Sequence, residues 1–494
     1  MSPISQDGDT RLASRAVGGT LWNLLTFALT KGSLLLTTVV LARILAPRDF
    51  GLLALGLLVI TYLDVLGDAG VGAAVIYRQE RGPKDASTAV VIATGTALVL
   101  AATTFVGAPG LALLFDEPRL ADIVRVLCVA FLVNQLAVVH RRKLEKDLLF
   151  RRRMVPEVVA AVVKGGSAIA LALGGVGVWS LVWGQLLGAA TSTVLLWVVS
   201  TWRFRLAFDR QAAREMLRFG VPVTLLGLLA AAIRTSDVVI IGRYLSADEL
   251  GHYAIAYRLP ELLLLQLCFL MSQALFPAYA RARGDADRLR AGFRSTLRLV
   301  AIVTTPIGLG LALVAPEVVP LFFGDQWAPS IAVAQVLAVY GLVYTLAFNV
   351  GDIYKATGRP GVLNVFALIR LAMLVPLLLA LVPRGIVAVA FGLIAVEVFM
   401  TVLQLVVAGR LMKVGLLDVL GEFGPAVAAG AALVLATVGA RALLPDDGSL
   451  VVRLVVSVAV GAAAYTATLF VVSRETVDRV LSLLLGARGV QAAS

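Results

Sequence analysis

Histidine and cysteine are nearly absent from this 494-residue chain, with two of each. His140, His252, Cys128 and Cys268 stand far apart, so neither a metal-ligand spacing nor a Ser-His-Asp arrangement can be assembled around them. The cysteines lie in separate apolar runs and read as core filler rather than as a bridge. Charge is scarce as well: 15% of residues are Asp, Glu, Lys or Arg, against about 25% in a soluble domain. No nucleotide-binding loop appears, which argues against direct ATP drive, and neither a cofactor nor a metal is expected. No polar stretch reaches the ~50 residues that a soluble domain requires.

What the chain has instead is apolar length. Hydrophobic residues make up 60% of it, with a mean hydropathy of +0.92. An aqueous core of that size would lack polar cover, so the bilayer is the fitting solvent. The expected fold is an all-α polytopic membrane protein with about fourteen transmembrane helices, each near the ~20 residues that cross the hydrocarbon layer. The expected spans are 16–42, 50–76, 87–114, 121–139, 155–174, 176–200 and 217–242. They continue with 250–277, 296–320, 329–350, 362–382, 386–409, 420–443 and 450–473. The apolar run after Arg11 and Arg15 is too long for a signal peptide and reads as a retained first span.

The net charge of +12 is topological. Basic residues cluster in alternate connections, such as Arg141, Arg142 and Lys143, or Arg281, Arg288 and Arg290. The tally is roughly thirty on one side against about eight on the other, which predicts that both termini are cytoplasmic. The charge is therefore expected to contact lipid headgroups, not nucleic acid. Trp22, Trp197 and Trp202 fall near expected inner ends, and Trp179 and Trp327 near outer ends, as interfacial rings prefer.

A repeat is legible. Residues 41–55 (LARILAPRDFGLLAL) align with 241–255 (IGRYLSADELGHYAI), matching Arg43, Leu45, Gly51 and Ala54 to Arg243, Leu245, Gly251 and Ala254. Asp49 falls opposite Glu249. Each stretch is the outer turn joining the first two spans of a six-span unit. Two such halves related about the membrane normal are a transporter signature. The expected organisation is a cytoplasmic segment 1–15, an N-lobe 16–200, a linker 201–216 and a C-lobe 217–409. Two added helices (410–473) and a cytoplasmic tail (474–494) follow. Gly220, Pro222, Pro260 and Pro306 are candidate bends.

Ionisable side chains inside spans cost about 2.5–3.5 kcal/mol each on insertion scales, so each calls for a reason. Lys31, Lys164, Arg234, Arg258 and Arg370 are expected to line a central aqueous cavity and hold an anionic headgroup. Asp64, Asp68, Asp237 and Glu397 are expected to carry coupling protons or sodium. Structural pairing is the competing expectation for Arg234–Asp237 and Arg258–Glu261, spaced i,i+3, and for Lys31 with Asp64. Lys164, Arg370 and Glu397 have no sequence-local partner and must face a cavity or another helix. Glu157 belongs to the same set.

Several motifs resemble one family. VLARILAPRDFGLLAL (40–55) with DAGVGAAVIYR (68–78) looks like the first hairpin of Wzx-type polysaccharide repeat-unit flippases, and IIGRYLSADELGHYAIAYRL (240–259) looks like their seventh and eighth spans. PLFFGDQWAPS (320–330) and KATGRPG (355–361) match the turns after spans nine and ten. The resemblance covers roughly 15–410 and weakens beyond. It implies the fold of the multidrug/oligosaccharidyl-lipid/polysaccharide exporter superfamily: two six-helix lobes, alternating access and a lateral opening for lipid. It also implies a substrate, a polyprenyl-pyrophosphate-linked oligosaccharide carried to the outer leaflet; a polysaccharide polymerase or assembly complex is an expected partner. In related precursor flippases the cavity is strongly cationic, whereas carboxylates here crowd the buried cations.

A drug/cation antiporter of the same superfamily is the first alternative. A membrane glycosyltransferase or polymerase is the second, though Asp116, Glu117, Asp325, Asp446 and Asp447 lie in short outer turns unlike a catalytic loop. A non-transporting scaffold is the third. No enzyme activity is expected.

Overall fold

A computed structural model describes residues 6–68, 83–147, 149–200, 208–282, 284–445 and 449–474. The motif at 69–78, the linker residues 201–207, Asp446, Asp447 and the tail 475–494 lie outside the described residues. So do the side chains of Arg11, Arg15 and Asp68. Every regular element among the described residues is helical. Inside a bilayer each N–H and C=O must be satisfied without water, and an α-helix does so within its own segment. Among the described residues, fourteen helical stretches are long and apolar enough to cross a membrane, one for each expected span.

The chain packs as two compact units, Met1–Gly251 and His252–Ser494. In the first, α1 (Gln6–Ile44), α2 (Pro47–Asp68), α3 (Pro83–Phe115), α4 (Leu120–Lys146), α5 (Phe150–Leu173), α6 (Val178–Val199) and α7 (Arg210–Tyr244) follow in order. Small residues let these helices approach closely, as Gly184 and Gly188 of α6 do against Lys164 and Ala168 of α5. A buried cluster of Leu52, Ile123, Leu127, Val178, Val182 and Ala247 ties α2, α4 and α6 together. Helix α7, expected to open the second lobe, packs with the first unit, where Thr235 Oγ1 hydrogen-bonds Tyr62 Oη at 3.0 Å.

The repeated turns are built alike. In the second, Ser246 and Glu249 form a reciprocal cap: Glu249 N donates to Ser246 Oγ at 3.2 Å, and Ser246 N to Glu249 Oε2 at 3.3 Å. The first keeps the returning half of that cap, with Ala46 N donating to Asp49 Oδ2 at 3.2 Å. The aligned acids Asp49 and Glu249 thus do one job. Glu117, placed by the sequence in a short outer turn, pairs with Arg48 at 2.9 Å.

The second unit takes the remainder of α8 (Ala247–Pro260), which continues through a π-helical turn (Glu261–Leu265) into α9 (Gln266–Arg281). Then come α10 (Ala286–Phe323), α11 (Ser330–Phe348), α12 (Val350–Ala356), α13 (Gly361–Leu381) and α14 (Ile386–Met412). A short α15 (Leu416–Gly421) leads to the last hairpin, α16 (Gly424–Ala442) and α17 (Leu450–Val472). Of the candidate bends, Pro260 introduces the π turn, while Pro222 and Pro306 lie within continuous helices.

The last hairpin is held against α10 at both ends. At one end Glu422, buried, accepts from Arg294 at 2.6 Å and pairs with Arg298 at 2.8 Å. At the other, buried Glu317 bonds Arg441 and lies 3.8 Å from Arg453. Between them Tyr465 Oη donates to Ile302 O at 2.7 Å, within a core of Ala426, Ala429 and Leu433. Cys128 and Cys268 are buried free thiols. Trp327, expected at an interface, is fully buried in an edge-on contact with His252, because Gly324 at φ 104° folds the 3₁₀ turn Asp325–Trp327 back into the packing.

Candidate functional site within the spans

The charged side chains lie well inside their own helices. At 1.5 Å per residue, Lys31 is about 20 Å along α1 from Ile44, Asp64 about 25 Å along α2 from Pro47, and Arg234 about 15 Å along α7 from Tyr244. In the second unit Arg258, Arg370 and Glu397 each lie about 16 Å from the ends of their helices at Ala247, Leu381 and Ile386.

The first unit leaves its charges open. Lys31 is half-buried, Asp64 and Arg234 are exposed, and none of the three makes a hydrogen bond or ion pair with a described residue. The pairing expected between Lys31 and Asp64 does not form, nor does that between Arg234 and Asp237. Asp237 is buried, its carboxylate accepting from Val238 N at 2.8 Å. An exposed charge at mid-span with no partner among the described residues is costly against hydrocarbon, which favours water beside α2 and α7. Lys164 has its stem in the α5–α6 seam against Gly188 and is not free. Glu157 is paired with Arg153 at 2.6 Å.

The second unit closes its charges in pairs. Arg258 and Glu261 meet at 3.4 Å, as their i,i+3 spacing predicts, and each is about one-third exposed. Arg370 and Glu397, which had no sequence-local partner, are partners of each other. The guanidinium donates twice, to Oε2 at 2.5 Å and Oε1 at 3.0 Å, in the planar fork geometry of a bidentate pair. Glu397 is 2% exposed. The same guanidinium stands 5.8 Å from the centroid of the Tyr344 ring.

Sequence reasoning missed three features. Arg141, assigned to a cytoplasmic connection, lies on α4 and donates to Asn134 at 3.2 Å and Ser192 at 3.5 Å. Its i,i+7 spacing from Asn134, on one helical face, was the available signal. Asp352 is buried where the helix breaks at Asn349, accepting from Ser272 at 2.6 Å and Lys355 at 3.0 Å. A run of tyrosines on α8 and α11 is the third: Tyr253 and Tyr257, then Tyr340 and Tyr344, each pair spaced i,i+4. Among the described residues no group of His, Cys, Asp and Glu is arranged to hold a metal.

Residues 40–332 match a family described as polysaccharide biosynthesis protein. The chain is 26% identical over 400 residues to the lipopolysaccharide biosynthesis protein WzxC of Escherichia coli (strain K12), covering 80% of each chain. It is 26% identical over 494 residues to the succinoglycan biosynthesis transport protein ExoT of Rhizobium meliloti (strain 1021), covering 96% of each. Among solved structures, the lipid II flippase MurJ in an inward closed conformation superposes with a TM-score of 0.76 at 11% identity, covering 93% of this chain and all of that one. An inward-facing multidrug resistance MATE family transporter gives 0.65 at 16% identity over 78% of this chain and 94% of that one. These likenesses establish a shared fold.

Proposed function

The chain belongs to the polysaccharide biosynthesis protein family, and from that premise we propose that it flips polyprenyl-pyrophosphate-linked oligosaccharide across the cell membrane. The observation that carries this reading is the set of open charges Lys31, Asp64 and Arg234 at mid-span. A pyrophosphate-sugar headgroup cannot cross hydrocarbon, so a polar, water-filled surface must replace its hydration while the prenyl tail stays in lipid. Lys31 and Arg234, which pair with no described residue, supply positive charge for the pyrophosphate. Membrane lipids are the remaining contact, and the relatives' names, which span lipopolysaccharide and succinoglycan, place the product among surface polysaccharides.

The lobes 16–200 and 217–409 alternate access, with both termini in the cytoplasm. Asp64 carries the coupling proton or sodium ion, since its carboxylate is open. Asp237, and Glu397 within its ion pair with Arg370, join that role only if their present contacts break, and Asp68, four residues along the sequence from Asp64, is a further candidate. The released lipid-linked unit is consumed by a polymerase complex on the outer side.

The test is a host deletion assayed by leaflet, with an impermeant periodate or lectin probe for lipid-linked oligosaccharide. Wild type restores outward-facing units; Lys31→Glu and Arg234→Glu, expressed at normal levels, do not. Full transport by both variants, or outward-facing units in the deletion strain, rules the reading out. Arg370→Glu is a poor probe because it breaks a buried pair. The open carboxylate of Asp64 also favours a second reading, a drug/cation antiporter, which predicts extrusion of a hydrophobic cation such as ethidium and an unaltered glycan lipid.

A further inference from the structure

We propose that Tyr257, Tyr340 and Tyr344 form a stacking platform for the sugar rings of the substrate, an inference that rests on the flippase reading and assigns its glycan to these residues. Six aromatic rings run without a gap through the second unit. Tyr253 stacks on Tyr257 at 6.2 Å, Tyr257 meets Tyr340 at 6.4 Å, and Tyr340 meets Tyr344 at 6.1 Å. Tyr344 then meets Phe348 at 5.5 Å, and Phe348 meets Phe269 at 4.9 Å. Tyr253 is buried and anchors the row, whereas Tyr257, Tyr340, Tyr344 and Phe348 are half-exposed.

The open stretch has the chemistry of a carbohydrate site. Along α11, Tyr340 to Phe348 spans about 12 Å, comparable to a di- or trisaccharide. Pyranose faces present C–H bonds that pack on aromatic faces, and the phenol hydroxyls keep a polar edge for sugar hydroxyls. A wall built to face lipid has no use for phenols at this depth, where phenylalanine and leucine serve. Beside the rings stand the two ion pairs: Arg258–Glu261 begins one residue beyond Tyr257, and Arg370 lies over Tyr344. Each is a fixed array of donors and acceptors, and each is neutral as a pair. This surface therefore suits an uncharged glycan and holds no net charge for a pyrophosphate.

The backbone points the same way. The π turn Glu261–Leu265, where Gln266 N donates to Glu261 O, interrupts the helix beside the rings. Irregular backbone at membrane depth is tolerated where it lines a cavity or is buried in protein, and single π turns concentrate at functional sites.

The experiment measures binding to the purified full-length protein in lipid nanodiscs. Three probes are used: undecaprenyl pyrophosphate without sugar, the same lipid bearing a neutral tetrasaccharide, and ethidium. The variants are Tyr257→Ala, Tyr340→Ala and Tyr344→Ala, each beside its Tyr→Phe counterpart, which keeps the ring and the packing. Each Ala variant should weaken tetrasaccharide-lipid binding by up to about tenfold, the equivalent of one aromatic contact. Sugar-free lipid should bind all variants equally, and each Phe variant, which keeps the ring and loses only the hydroxyl, should lose less tetrasaccharide-lipid binding than its Ala counterpart. Equal losses on both lipids, or no loss from any Ala variant, overturn the platform and leave the flippase reading standing. Loss of ethidium binding with unchanged glycan binding overturns it in favour of the antiporter. Wild type that binds neither lipid overturns the flippase reading itself, and the platform with it. If an Ala variant does not fold, Tyr→Leu at the same position carries the same expectation.

Discussion

Gly51 and Gly251 make the same contact from opposite sides. A Cβ on Gly51 would lie 1.9 Å from the carbonyl oxygen of Ala247, and one on Gly251 would lie 1.9 Å from that of Pro47. The two pairs are images of each other under the internal repeat, which aligns 47 with 247 and 51 with 251. The first turns of α2 and α8 therefore cross on a local two-fold, at a separation that only hydrogen at both positions permits.

Filling that crossing should be destabilising. Gly51→Ala and Gly251→Ala are each expected to cost about 1–3 kcal/mol, the usual penalty for overpacking, read as a lower thermal midpoint in detergent. Because both glycines serve one contact, the double variant should fall short of the sum of the singles. Unchanged midpoints would mean that the helices can separate freely there.

Breaking the Arg370–Glu397 pair from either side should be costly. Glu397→Ala or Arg370→Ala leaves a charge buried without its partner, at about 3–5 kcal/mol, whereas Arg370→Met with Glu397→Leu should recover most of that loss. Thermal unfolding of the purified variants measures both. A single variant as stable as wild type would show that water reaches the pair.

Swapping Lys31 and Asp64 should not rescue function. The two side chains form no ion pair, so Lys31→Asp with Asp64→Lys is expected to transport as poorly as Lys31→Asp alone in the leaflet assay. Restored transport would require a direct pair in another state of the cycle.

The last hairpin should loosen when its clamps are cut. With Glu317→Gln and Glu422→Gln together, amide hydrogen exchange in α16 and α17 should rise, while exchange in α2 and α4 should not. Tyr465→Phe, which removes one bond to Ile302 O, is expected to cost about 0.5–1.5 kcal/mol of stability.

Much of the arrangement was written along the chain. Fourteen spans, the repeated turn and the Arg258–Glu261 pair depend on hydropathy and on neighbours a few residues apart. The local pairings that failed did so for a physical reason: Arg234 and Asp237 share a helix face by spacing, yet Arg234 is exposed while Asp237 is buried and bonds its own backbone. Lys31 and Asp64 are on successive helices, and adjacency in the chain does not fix the distance between side chains. Arg141 was missed because a basic residue near the end of a span carries the signature of a cytoplasmic loop, and the helix runs on to Lys146.

By itself the sequence determined that the chain crosses a membrane many times, that two segments repeat, and which residues carry charge into the spans. Those properties are local, since a bilayer requires each segment to satisfy its own backbone. Tertiary structure alone decided that Arg370 meets Glu397, that tyrosines of α8 and α11 join into one row, and that Glu317 and Glu422 fasten the last hairpin. Each is a contact between helices distant in sequence, set by packing and the approach of side chains, and no period along the chain encodes which faces will meet.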